Sequence, residues 1–168
     1  MVAIANASIK RTTRALIEWQ LHTMTRPAEA ATTCWADIDF ERKTWTIPAN
    51  LMKTKREFKV ALSSAALSIL QEMPRLSDYV FPGGKADQPM SENAMLKLLE
   101  RMDKKEITVH GFRSTFRDWV GEETEFDPQL AEYALSHKLP NATERAYARG
   151  DQLAKRFKLM EAWCEFLE

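Results

Sequence analysis

The chain has 168 residues and a mass of 19.3 kDa, the span that one hydrophobic core serves, which excludes a second full domain. Hydrophobic residues at 45% and charged residues at 29%, with only five glycines and seven prolines, exclude a disordered or fibrous chain. Lys plus Arg equals Asp plus Glu at 24 each, so bulk basicity does not announce a nucleic-acid partner. No apolar run approaches the roughly 18 residues of a bilayer span, and the opening MVAIANASIKRTTR lacks the regions of a signal peptide; a soluble cytoplasmic protein is expected. Cys34 and Cys164 are too few and too far apart for a disulfide framework or a zinc site and read as reduced packing residues.

In chain order, Ala15, Leu16 and Trp19 recur at three-to-four spacing and predict an amphipathic helix from Lys10 to Met24. Pro27 opens a short second helix to about Thr33, which puts Arg26 at a helix entry. The stretches Cys34 to Phe40, Lys43 to Pro48 and Phe58 to Leu62 alternate roughly between apolar and polar residues and predict a small antiparallel sheet. Ser63 or Ser64 caps a helix to about Met73, and Phe81-Pro82-Gly83-Gly84 reads as a turn. Four further helices are expected: Glu92 to Met102 capped by Ser91, His110 to Gly121 after Thr108, one from Asp127-Pro128 to near His137, and Gln152 to Phe166.

The charges are unevenly placed. Residues 41 to 60 carry Arg42, Lys43, Lys53, Lys55, Arg56 and Lys59 against Glu41 and Glu57; residues 138 to 158 repeat that balance, and residues 117 to 132 are acidic. A two-faced surface follows, which by itself fits any solvated protein. More specific is Thr108-Val109-His110-Gly111-Phe112-Arg113, where a histidine and an arginine three positions apart share one face of a helix and can grip one anion. Beside it stand Arg26 in Arg-Pro-Ala-Glu, Lys53 in the basic turn Met52-Lys53-Thr54-Lys55-Arg56, His137 in Leu135-Ser136-His137, and Tyr147 ten positions beyond His137. Tyr133, by contrast, shares helical spacing with Leu130 and reads as packing, as does His22 after the first helix; Glu29, one turn beyond Arg26, reads as holding that arginine or capping its helix.

These residues, in this order, resemble the catalytic domain of the tyrosine recombinases, and among them the prophage-type integrases. The resemblance runs from about Thr13 to Glu168 through TRPAEAATTCWADIDF, MKTKREFKVALS, TVHGFRSTFRDWV, LSHKLPNATERAYARGD and KRFKLMEAWCEFL. It implies a mainly α fold with a small antiparallel β-sheet. It also implies that Arg26 and Arg113 clamp the scissile phosphate, that His110 is the histidine of the His-x-x-Arg pair, that Lys53 is the lysine of the β-hairpin, that His137 fills the family's second His-or-Trp position, and that Tyr147 is the nucleophile. Lys55, Arg56 and Lys59 lie close to Lys53; counting back from Val60-Ala61-Leu62 favours Lys53. Ser136 departs from the glycine often found in that turn.

The implied chemistry is an in-line displacement at phosphorus that leaves a 3′-phosphotyrosyl link and a free 5′-hydroxyl. Cations and donors answer the charge on the non-bridging oxygens, His110 serves as base and Lys53 as general acid. The bond energy stays in the tyrosyl link, so no nucleotide cofactor is needed, and side-chain cations take the place of a metal. Implied partners are double-stranded DNA attachment sites, with a homo-tetramer on DNA, a monomer off it, and DNA-bending or excision accessory proteins; no membrane is involved. Family members usually add N-terminal core-binding and arm-binding domains, so residues 1–168 are expected to be the catalytic domain alone, a fragment or natural remnant. Two competing readings are a type IB topoisomerase and a non-catalytic DNA-binding remnant. The helix with Leu159, Met160, Trp163 and Phe166 reads as core, although in this family the segment after the tyrosine often docks on a neighbouring protomer.

Overall fold

The computed structural model describes residues 11–84, 87–137 and 152–168. The buried stripe Leu16, Trp19, Gln20 and Thr23 makes α1 (Arg11–Thr23) the spine of the molecule. Met24 closes it in the left-handed conformation (φ 52°), its N–H bonded to Gln20 O at 2.8 Å, a tight stop that turns the chain into α2 (Pro27–Ala31). The β1 (Ile38–Asp39), β2 (Thr44–Ile47) and β3 (Phe58–Ala61) strands form an antiparallel sheet in that order, with Trp45 opposite Val60 and Ile47 opposite Phe58. Helices α3 (Ser64–Glu72), α4 (Asn93–Arg101), α5 (Gly111–Glu123), α6 (Pro128–Ala134) and α7 (Leu153–Leu167) complete the described fold, which is mainly α with a small sheet.

The caps follow the sequence signals closely. Ser63 Oγ accepts from Ala66 N at 3.3 Å, and Asp127 Oδ1 accepts from Gln129 N at 2.9 Å beneath Pro128. Gly83 is required in its turn, because a Cβ there would stand 2.7 Å from Pro89 O. One segment departs from expectation: Trp35 to Asp37 is a single 3₁₀ turn instead of strand, and only Ile38 and Asp39 pair with β2. Residues 33 to 35 pair elsewhere, with Cys34 opposite Tyr79, Trp35 N bonded to Asp78 O at 3.0 Å and Val80 N to Thr33 O at 2.9 Å. Trp35 and Ile38, three apart, suit a 3₁₀ turn as well as they suit alternation.

Two apolar clusters hold the elements together. One gathers Leu16, Trp19, Trp45, Ile47, Leu70, Phe81, Leu98 and Val109; the other gathers Met24, Phe116, Trp119, Leu130, Leu159 and Trp163. Burying each large aliphatic side chain contributes roughly 1.5 to 3 kcal/mol, so either cluster outweighs any single polar contact. Leu21 and Phe112 pack against both, so the seam between the clusters runs beside the two segments that carry Arg26 and Arg113. The last helix belongs to this core: Trp163 lies 5.0 Å from Trp119 and 5.2 Å from Phe116, centroid to centroid, and its Nε1 donates to Leu21 O at 2.8 Å. Phe166 is half exposed beside them.

Candidate active site

Arg113 sits on the first turn of α5 with its side chain turned inward, and only 4% of the residue is exposed. A guanidinium so placed needs acceptors, and it finds backbone carbonyls at two helix ends. Its Nη1 donates to Met24 O, the residue that closes α1, and its Nη2 donates to Leu135 O at 2.7 Å, just past α6. The same Nη2 meets His137 Nε2 at 3.1 Å. Arg113 thereby holds together three chain segments that are remote in sequence.

His137 arrives there through a tight turn. Ser136 adopts φ 52°, Ser136 N bonds to Tyr133 O at 3.1 Å and His137 N bonds to Glu132 O at 2.9 Å, the paired bonds of a Schellman ending. Serine therefore takes the left-handed position for which glycine is the usual choice, and the turn forms all the same. The ring is then gripped from both sides, with Nδ1 2.7 Å from Glu132 Oε2. Because a guanidinium only donates, the contact with Arg113 makes Nε2 an acceptor and assigns the ring proton to Nδ1, against Glu132.

Arg26 precedes α2, two residues beyond the carbonyl that Arg113 holds. Its Nη1 donates to Glu29 Oε1 at 2.9 Å, and its backbone N–H donates to Glu29 Oε2 at 2.9 Å, so one carboxylate both orients the guanidinium and caps the helix. Glu29 performs both tasks that the sequence suggests for it. Burial first, and the neighbouring charge of Arg26 second, pull the Arg113 pKa down to about 10, while Glu29 and Glu132 work the other way. Arg113 thus stays charged at neutral pH, close enough to Arg26 for the two to repel. Two mutually repelling cations beside an imidazole, with carboxylates behind Arg26 and His137, define a place where an anion is favourable.

The remaining expected residues stand differently. His110 is exposed at the position before α5, one turn from Arg113, whose backbone N–H bonds to His110 O at 3.2 Å. The start of that helix is fixed by Thr108, whose Oγ1 accepts from Gly111 N at 2.9 Å. Lys53 is exposed in the turn between β2 and β3 and makes no hydrogen bond or ion pair among the described residues; Lys55 and Arg56 are exposed beside it. Tyr147 lies outside the described residues.

Two contributors were not foreseen from sequence. Glu132, five positions before His137, reads there as one more acidic residue of a charged run. Gln20 is fully buried in α1, and its Nε2 reaches Thr25 O at 3.3 Å and Val109 O at 3.2 Å, tying the residue before Arg26 to the residue before His110. Its signal was present: a polar side chain on the apolar stripe of an amphipathic helix.

Such an arrangement, two arginines and a histidine converging at the ends of three helices, defines a protein built to grip a strong anion. The chain belongs to the phage integrase family, whose model matches residues 1–153. It is 40% identical over its whole length to the prophage integrase IntA of Escherichia coli K12, and 31% identical over 93% of its length to the integrase of Enterobacteria phage P4. It spans 42% of the former and 40% of the latter, well under half of the curated relatives it matches. Among solved structures, the integrase of mycobacterium phage Brujita superposes with a TM-score of 0.71 at 20% identity, covering 95% of this chain and 54% of that one. A lambda integrase dimer bound to a COC' core site gives 0.61 at 17% identity, covering 90% and 57%. The shared fold is therefore that of the tyrosine recombinase catalytic domain.

Proposed function

We propose that residues 1–168 form the catalytic domain of a site-specific DNA recombinase of the integrase type. It cleaves and rejoins duplex attachment sites through a covalent 3′-phosphotyrosine, and so integrates or excises prophage DNA in the cytoplasm of a bacterial host. In this reading it acts as a tetramer on DNA, with N-terminal DNA-binding domains and accessory proteins completing the assembly. The observation that carries the proposal is the buried Arg113, locked onto Met24 O and Leu135 O and abutting both His137 and the charge field of Arg26. Rigid donors of this kind suit a phosphorane-like transition state, in which charge grows on the non-bridging oxygens.

The steps follow from the side chains. Tyr147 Oη gives its proton to His110 and attacks phosphorus; the bond to the 5′-oxygen breaks, and Lys53 supplies the proton that the departing oxygen needs. Arg26 and Arg113 face the equatorial oxygens. His137, its ring oriented by Glu132 on Nδ1, faces the same phosphate beside Arg113. Religation reverses the same steps on a new 5′-hydroxyl and needs no nucleotide.

The test mixes the protein with nicked duplexes from its genomic flanks in EDTA and looks for an SDS-resistant protein–DNA adduct. Wild type should form it and Tyr147→Phe should bind DNA without forming it; an adduct in the variant removes the tyrosine from its role. Strand exchange between two duplexes then separates a recombinase from a topoisomerase, which would relax supercoils without exchange.

A further inference from the structure

Arg156 is buried to 2% exposure in the first turn of α7. Its Nη1 donates to Lys59 O at 2.6 Å, and its guanidinium lies 5.1 Å above the centroid of the Phe58 ring. Phe58 and Lys59 open β3, directly after the turn that carries Lys53. β3 is an edge strand of the described sheet, with β2 on one side only, and Arg156 supplies a donor to its Lys59 carbonyl. The opposite side of the turn is held by Met52, fully buried, and by the bond from Lys55 N to Met52 O at 3.1 Å. A buried guanidinium is a costly way to fill space, since an apolar side chain of similar volume packs as well without desolvating a charge. What the guanidinium adds at β3 is direction, because a planar donor that meets the Lys59 carbonyl and the Phe58 ring fixes where the strand begins.

We propose that Arg156 is a positioning residue for the general acid: it sets the base of the β2–β3 turn and so the place from which Lys53 reaches the leaving oxygen. This rests on the reading of Lys53 given above. Arg156 also follows Tyr147 by nine positions in the chain, so one side chain joins the helix after the nucleophile to the strand after the acid.

The experiment compares nicked attachment-site duplexes carrying either an ordinary 5′-oxygen or a bridging 5′-sulfur, whose departure needs no proton. Arg156→Met should keep the DNA affinity of wild type, lose about tenfold or more in cleavage of the oxygen substrate, near 1.4 kcal/mol in barrier, and cleave the sulfur substrate within about threefold of wild type. Phe58→Leu removes the ring face without touching a charge, should show the same split in smaller measure, and carries the test alone if Arg156→Met melts below the assay temperature. Equal loss on both substrates, or no loss on either, overturns the proposal. Lys53→Ala is run alongside: if sulfur does not rescue it, Lys53 is not the acid and this inference falls with that reading. If sulfur rescues Lys53→Ala but neither other variant, only the role of Arg156 is refuted.

Discussion

Replacing each arginine of the anion cluster by lysine should separate two kinds of function that look alike in sequence. Arg113 supplies charged hydrogen bonds to two buried carbonyls, Met24 O and Leu135 O. Each such bond is worth roughly 1.5 to 3 kcal/mol, and a carbonyl left buried without a donor costs roughly 1 to 3 kcal/mol. Lysine offers one compact ammonium on a shorter stem, so Arg113→Lys keeps one acceptor and abandons the other. The expected loss is about 2 to 4 kcal/mol, which leaves a domain of ordinary stability folded. Arg26 differs: its partner is a single carboxylate, with side-chain exposures of 22% for Arg26 and 5% for Glu29, and lysine can keep that pair. Arg26→Lys should therefore cost under about 1 kcal/mol. On the proposed mechanism both variants should lose roughly a hundredfold in adduct formation, because a point charge would replace a fork that answers phosphate oxygens. Urea unfolding followed by tryptophan fluorescence measures the first difference, since Trp119 and Trp163 are buried near Arg113's end of the molecule. An Arg113→Lys protein within about 0.5 kcal/mol of wild type, or an Arg26→Lys protein destabilised as much as Arg113→Lys, would refute the reasoning.

Two further outcomes follow from backbone and burial. Ser136→Gly relieves a left-handed serine at φ 52° and should raise stability by roughly 0.5 to 1 kcal/mol with adduct formation unchanged, measured by the same urea midpoints; a fall would mean that the serine side chain itself holds the turn. Burial pushes the His22 imidazole below its ordinary 6.5, against the opposing pull of Glu18, Glu168 and Glu161. Below that value the unfolded chain takes up a proton that the folded one refuses, so stability falls as pH drops from 7 toward 5, by at most about 1.4 kcal/mol per pH unit for one proton. Comparison with His22→Gln should show wild type losing more over that range; a wild type that gains relative to the variant would reverse the sign.

The helices and caps were legible because their signals are local. Leu16, Trp19 and Thr23 mark their own helix, and Ser63, Asp127 and Pro128 mark their own starts. The 3₁₀ turn of Trp35 to Asp37 is not legible in the sequence because the pairing that leads into it, residues 33 to 35 against residues 78 to 80, spans more than forty positions and no periodicity within the segment reports it. The site divides in the same manner. Arg26, Arg113 and His137 could be picked out by residue type and order, and the structure brings the three together. Half of what holds them is main chain: Met24 O and Leu135 O have no side-chain identity to read, and their availability depends on how α1 and α6 end. Glu132 is recognisable as a partner of His137 only once the Ser136 turn folds it back. Lys53 is no better separated from Lys55 and Arg56 in space than in sequence, since all three project from one exposed turn.

Gln20 has a consequence for how this domain can be altered. One amide spans the approach to Arg26 and the approach to His110, segments whose closest residues are more than eighty positions apart along the chain. A single-residue insertion in α1 after Gln20 would swing that amide by about 100° relative to Arg26 and release both approaches at once. Replacing α1 instead with a helix that lacks an amide at position 20 would leave the Thr25 and Val109 carbonyls without this shared donor.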